Sequence, residues 1–461
     1  MFTSILNTLS NCFKIPELKS RIVFTMVVLA ICRMACLVPV PGLDGAALSK
    51  WLESAPGKNA GGLLGMYSMF TGGGFEKCAV GALGIMPYIS ATIILQLLQA
   101  VIPFLSKLAR EEGGRAKLIQ YGRVLTLFLC LGQGFFMAVG WEKAGEFLFK
   151  GFPGNLVLIH PLWWYRIQTT VIVTTGTMLL MWLGEQITDR GIGNGISLII
   201  TINILARLPA AGQGLIDMFL AGGSAAEHRP TIFHFIALVL LLFAVIAGVV
   251  AVTQAERKIP VQYAQRVVGR KMYSGGSSFM PLRVNYSGVM PVIFASAILM
   301  FPTMIFRVMG GRFHWKVFEE MATMLLPGSP LYLILYGLMI LFFSYFWVAT
   351  QFNELQISDD MKKSGGYIPG VRPGQATSEY LHRTMSRITL AGALFLTVIA
   401  VIPLILSNAM TVPQQVANFF GGTSLLIIVG VMLDTMRQME SHLLMRHYDG
   451  FLKKGRLKGR F

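Results

Sequence analysis

Apolar residues run along this chain in long blocks separated by short polar or basic stretches. Ten blocks stand out, at about 21–40, 78–103, 118–140, 166–187, 192–208, 232–253, 286–306, 330–353, 386–407 and 420–440. Each is near the roughly 20 residues a helix needs to cross a hydrocarbon core, and several are bounded by Pro or Gly, which suits helix ends. The pattern predicts an all-α polytopic membrane protein of ten transmembrane helices. The fifth block is the weakest: it is short, carries Asn203, and taken alone also fits a re-entrant piece. The first block reads as a span and not as a cleaved leader, because it is too long and ends in Pro39, Val40, Pro41 and Gly42.

Charge sets the orientation. With the N-terminus inside, the inner segments carry 27 of the 39 Lys and Arg residues, the outer loops about 11, and Arg33 falls within the first block. Inner loops are the ones that collect basic residues, so both ends are placed on the cytoplasmic side. Ten spans divide into five and five near 221–230. The expected units are 1–220 (helices 1–5), 221–440 (helices 6–10) and a basic cytoplasmic tail at 441–461. An odd number of helices per half inverts the second half, a geometry that places a substrate path at the interface. Composition agrees: 54% of residues are hydrophobic and 13% charged, about half the charge of a soluble domain.

Two inner loops are long, at about 254–285 and 354–385. Both are basic, and the second has the Gly and Pro density of tight turns, which hold Arg372 at a tip. Two readings fit: charge that only sets topology, or a docking surface for a large cytoplasmic partner with acidic or phosphate-bearing surface. Between the first two blocks, residues 61–74 (GGLLGMYSMFTGGG) are apolar but too short to cross. Irregular backbone at membrane depth is tolerated only where protein or a watery cavity surrounds it. A movable stopper and a passive interfacial helix both satisfy that condition.

Catalytic chemistry is missing from the sequence. It has no phosphate loop, H-E-x-x-H or G-x-S-x-G motif, and its seven histidines are scattered singly. The glycines at 191–195 follow a membrane helix and not a strand, as a tight inter-helix turn would. The five cysteines form no C-x-x-C pair and read as small core hydrophobes. No enzyme, cofactor or metal is expected. A coupled transporter would bury acids near the midplane. Here Glu185 and Asp434 lie towards span ends, and the spans carry neutral Gln96, Gln133, Asn203 and Asn285. Arg33 alone approaches the middle of a span, where snorkelling or helix pairing is the ordinary reading.

Four strings carry a family resemblance: LGIMPYIS at 83–90, LGEQITDRGIGNGIS at 183–197, YIPGVRPG at 367–374 and GGTSLLI at 421–427. Together, and in this order, they resemble the SecY family, the channel subunits of bacterial protein translocases, along nearly the whole chain. The resemblance implies a clamshell of two five-helix halves around an hourglass pore, sited in the inner membrane. Its apolar pore ring falls on Ile85, Ile89, Ile196, Ile200, Ile293 and Ile427. The short segment at about 62–72 matches the family's plug, with Leu63, Leu64, Met66, Tyr67, Met69 and Phe70. The second and seventh spans match a lateral gate that releases segments into membrane lipid, and Gln96 and Asn285 fall on polar gate positions where they are expected to bond to each other. Arg270, Lys271 and Arg372 match the docking surface for the SecA motor ATPase and the ribosome. SecE, SecG and signal-sequence-bearing polypeptides complete the implied partners. One departure concerns Ala116, where the family usually has a basic residue; it bears on the details of the cytoplasmic contact.

Overall fold

The structure, a computed structural model, describes residues 15–53, 67–111, 113–145, 152, 154–219, 232–263, 266–268, 271–273, 276–313, 316–326, 328–409 and 423–454. Its helices begin with α1 (Pro16–Ala35), the short α2 (Gly45–Glu53), α3 (Met86–Val101), α4 (Pro103–Arg110), α5 (Gly114–Glu142), α6 (Leu162–Arg190), α7 (Gly195–Leu205), α8 (Leu208–Phe219) and α9 (Ile232–Gln254). Strands β1 (Glu256–Tyr263), β2 (Arg266–Val268), β3 (Lys271–Tyr273) and β4 (Ser277–Arg283) follow. Then come α10 (Met290–Phe313), α11 (Lys316–Met324), α12 (Pro330–Gln351), α13 (Glu354–Ser364), β5 (Gly366–Tyr367), α14 (Gln375–Ala409) and α15 (Thr423–Lys454).

Ten of these helices, α1, α3, α5, α6, α7, α9, α10, α12, α14 and α15, fall on the ten apolar blocks. Among the described residues six stretches are long and apolar enough to cross a bilayer unaided, and a seventh is added if α3 and α4 count as one bent span. The fifth block is one of the six: α7 runs on into α8 as an apolar helical stretch over Gly195–Gln213. Local chemistry starts several of them. The Asn194 side chain accepts from the Ile196 and Ser197 N–H groups to cap α7, and Ser329 caps α12, each satisfying a donor that the first turn leaves free.

Several boundaries differ from the sequence reading. The second span begins at Met86 and not at 78, because residues 71–85 form a succession of turns with Gly72, Gly73 and Gly84 at positive φ. That same span ends at Val101, where the chain bends by 106° into α4; Pro103 lacks the N–H that would continue the ladder. The last span runs past its expected end, with α15 continuing through the start of the tail to Lys454.

The long loops carry strands that the turn-rich sequence does not announce. Strands β4, β1 and β5 form a three-stranded sheet in that order, antiparallel throughout. Ile259 and Leu282 of the sheet join Val348, Phe352, Ile368, Leu381, Met385 and Ile388 in a core of their own. This face of the molecule is called the sheet face below. Helix contacts fall into two groups, one from α1 to α7 and one from α9 to α15, bridged by α3 against α10 and α7 against α15.

Candidate functional site

Ile85, Ile89, Ile200, Ile293 and Ile427 are 1%, 4%, 2%, 1% and 0% exposed, all within one buried cluster, and half-buried Ile196 packs against it. They come from the start and first turn of α3, from α7, from α10 and from α15. Burial alone does not separate a constriction from an ordinary core. The surroundings do, through what each helix carries one turn to either side.

On one side stands the 61–74 segment. Leu63, Leu64 and Met66 lie outside the described residues. Tyr67, Met69 and Phe70 form a single helical turn and are 5%, 3% and 2% exposed. Three residues before Ile427, the Ser424 hydroxyl donates to Met69 Sδ at 3.1 Å. Three residues after Ile200, the Asn203 amide donates to the Phe70 carbonyl at 3.1 Å. Gly84, directly before Ile85, lies so close that a Cβ on it would touch Thr71 and the Phe70 carbonyl. α7 runs away from the sheet face while α3 and α15 run towards it, so all three contacts lie on the same side of the isoleucines. The segment therefore packs against these helices on the side away from the sheet face.

On the other side lies a cavity of mixed lining. Its volume is about 530 Å³, and it is lined by Asn194 and Ser197 ahead of Ile200, by Ser287, Gly288 and Met290 ahead of Ile293, and by Asp434, Thr435 and Gln438 beyond Ile427. Arg283 and Arg437 add charge to its wall. Along α7 and α15 the chain thus places cavity-lining residues, a buried isoleucine and a contact to the 67–75 segment in succession. A narrow apolar waist excludes ions by dewetting.

Arg33 and Asn203 contribute more than the sequence reading gave them. Arg33 sits in the last turn of α1, not mid-span, and its Nη1 donates to the Gly72 carbonyl at 2.5 Å. The residues that touch the segment (Arg33, Asn203 and Ser424), and the Arg207–Glu76 ion pair just beyond it at 2.8 Å, were absent from the expected site. The available signal was polarity inside an apolar block, which marked Asn203 and Arg33 without saying what they touch. From Tyr67 to Phe75 every residue is buried.

Gln96 and Asn285 do not bond to each other. The Asn285 amide donates to the Gly288 carbonyl at 3.0 Å, and its oxygen accepts from Ser287 at 3.1 Å. Gln96 Oε1 is buried without a partner. The turn before α10 satisfies Asn285 locally, at the price of the expected cross-helix bond. Arg270 lies outside the described residues, and the Lys271 backbone lies in β3. Arg372 is exposed at a fixed tip. Its carbonyl accepts from Thr377 at 2.9 Å, the Gly374 carbonyl accepts from Ser358 at 2.6 Å, and Ile368 anchors the turn in the sheet-face core.

A family model described as SecY matches residues 79–436. The protein translocase subunit SecY of Chlamydia trachomatis serovar D is 44% identical over 465 residues, covering 98% of this chain and 99% of that protein. Two solved structures share the fold. One is a SecY whose plug domain is described as stabilising the closed state of its channel (TM-score 0.59, 20% identity, 95% of this chain and 94% of that one). The other is the Sec61 of a canine ribosome–channel complex from the endoplasmic reticulum (TM-score 0.57, 18% identity, 95% and 94%).

Proposed function

The chain belongs to the SecY family and is a multi-pass membrane protein forming a protein-conducting channel; we infer that the cavity, the isoleucines and the 67–75 segment described above are that channel in its closed state, with the cavity as its vestibule. Unfolded secretory polypeptides bearing signal sequences enter from the polar vestibule, pass the six isoleucines and displace the 61–74 segment. The observation that carries this reading is the sidedness of the helices that bear the isoleucines, which meet Met69 and Phe70 on one side and line a cavity of about 530 Å³ on the other. A coupled transporter would need ionisable groups at the waist, and the waist here is isoleucine.

The finer assignments rest on that reading. The two helix groups act as halves, 1–220 and 221–440, that part along α3 and α10 to release apolar segments into lipid. The sheet face is cytoplasmic, as the basic bias of its loops supports, and both chain ends lie on that side of the inner membrane. The exposed Arg372 tip on its own small core docks the SecA motor or the ribosome, and SecE and SecG complete the assembly. The energy for transport comes from the motor; the channel chain itself is not an enzyme. Reconstitution with SecE and SecA into vesicles tests the whole: a secretory precursor is expected to enter in an ATP-dependent manner. A folded complex that imports nothing would bring the transporter reading forward.

A further inference from the structure

Helix α11 lies at the far end of two spans. α10 leaves the sheet face and has 24 residues. That is about 36 Å at 1.5 Å per residue, longer than the roughly 30 Å of a hydrocarbon core. α12 starts at Pro330 and returns to the sheet-face core through Val348 and Phe352. α11 therefore sits where acyl chains give way to headgroups, on the side away from the sheet face. Its faces are unequal. Phe318, Ala322 and Leu325 stand at i, i+4 and i+7, one stripe of a helix, and that stripe is covered. Phe318 stacks on Phe306 of α10 with centroids 6.0 Å apart, Ala322 and Leu325 are buried, and Thr303 of α10 donates to the Leu325 carbonyl at 3.4 Å. One position back, Val317, Met321 and Met324 repeat the same spacing. They are 64%, 40% and 53% exposed.

We propose that the Val317–Met321–Met324 stripe lies in the headgroup–acyl boundary of the leaflet away from the sheet face, and that α11 thereby ties the far end of α10 to the bilayer surface. Two observations choose lipid over water or a protein partner. The stripe continues an apolar surface, since Ile305 of α10 and Leu331 and Ile334 of α12, on the spans to either side, are exposed as well. The helix also divides as an interfacial one does, apolar over two adjacent stripes and polar over the rest, at Lys316, Glu319, Glu320 and Thr323. Charge narrows the lipid. One Lys against two Glu gives α11 a negative balance, which suits a zwitterionic surface and is repelled by an anionic one. The tether rests on the channel reading, in which α10 borders the gate; the lipid contact does not.

The test uses the full complex in phosphatidylcholine vesicles and a Cys12→Ser background, since Cys32, Cys36, Cys78 and Cys130 are buried. A nitroxide is attached in turn to Val317→Cys, Glu320→Cys, Met321→Cys, Thr323→Cys and Met324→Cys. Collisions with oxygen, which concentrates among acyl chains, are compared with collisions with a water-soluble nickel chelate. The oxygen-to-nickel ratio is expected to be several-fold higher at Val317, Met321 and Met324 than at Glu320 and Thr323. Equal access of nickel to all five positions overturns the lipid site in favour of water. Exclusion of both reagents from the stripe overturns it in favour of a covering protein. Import reads the tether: Met321→Glu is expected to lower import of a secretory precursor a few-fold, and Met321→Leu to leave it unchanged. Import by Met321→Glu equal to that of the parent protein overturns the tether. Failure of the unmodified complex to import overturns the channel reading instead, and the collision profile still decides the lipid site.

Discussion

The two sides of the isoleucine ring are built on opposite principles. On the stopper side every described residue from Tyr67 to Phe75 is buried, aromatic rings meet edge to face (Tyr67 and Phe75, 5.1 Å between centroids), and polar side chains end on backbone carbonyls. On the vestibule side Asn194, Arg283, Asp434 and Arg437 surround open volume. The isoleucines between them are the same residue type, five of them fully buried and Ile196 half-buried, and would pass for core in any bundle. The proposal that they form a pore rests on the contrast across them. A core is dry on all sides, whereas a gate has one side designed to be wet and one side designed to move.

The largest effect is expected from preventing that movement. Met69 Sδ and Ser424 Oγ are 3.1 Å apart, so Met69→Cys with Ser424→Cys should crosslink the stopper to α15 under oxidant. Import should fall to near zero and return on reduction. Full import with the crosslink verified on a gel would show that the segment never leaves, and the passive interfacial helix would be the better account. Next comes wetting of the waist. Ile427→Asn places an amide at a 0% exposed position, and an unpaired buried polar group costs about 1–3 kcal/mol. The closed population should drop by roughly 5- to 150-fold at that cost, read as resting conductance and as import of weakened-signal precursors. Wild-type conductance would remove Ile427 from the gate.

On the sheet face the comparison is between a fixed charge and a diffuse one. Arg372 is held at its tip by Thr377 and by the Ile368 anchor. Arg372→Glu should leave folding intact and lower motor binding and motor-driven import by about tenfold, the scale of one lost charge-assisted contact. Equal motor affinity for the variant and the parent protein would return this loop to the role of a topology signal.

The architecture was legible because apolar length is a one-dimensional signal: each of the ten helices lies on a block visible in the sequence. The span starts were less so. Residues 78–85 are as apolar as the helix they precede, but Gly84 at φ +58° ends helical continuity in a way hydropathy does not register. The inner strands were hidden for the opposite reason, since Gly and Pro density announces turns and is silent on which turns frame a sheet. The ring isoleucines came through motif resemblance alone, because nothing in spacing distinguishes them from their neighbours. The stopper's holders were out of reach: Arg33, Asn203 and Ser424 are brought together from positions hundreds of residues apart, and only the fold makes them adjacent.

The smallest expected effect concerns the lateral gate, where resemblance and geometry part. Gln96 and Asn285 were expected to hold α3 against the chain entering α10. Asn285 instead spends its amide on Gly288 and its oxygen on Ser287, both within the turn whose shape depends on Gly288 at φ +62°. Gln96 Oε1 is left buried and unmatched. Removing an unmatched polar atom relieves a desolvation cost, so Gln96→Leu should leave the closed gate as firm as before or firmer, by less than about 1 kcal/mol. Asn285→Leu should loosen the turn before α10 through loss of both local bonds. A double-mutant cycle on weakened-signal import should then give a coupling near zero, since Asn285 bonds within its own turn, Gln96 Oε1 has no hydrogen-bond partner, and independent sites add. A coupling of about 1 kcal/mol or more would mean that the pair bonds across the gate in the working membrane, and that the stopper side alone does not hold the channel shut.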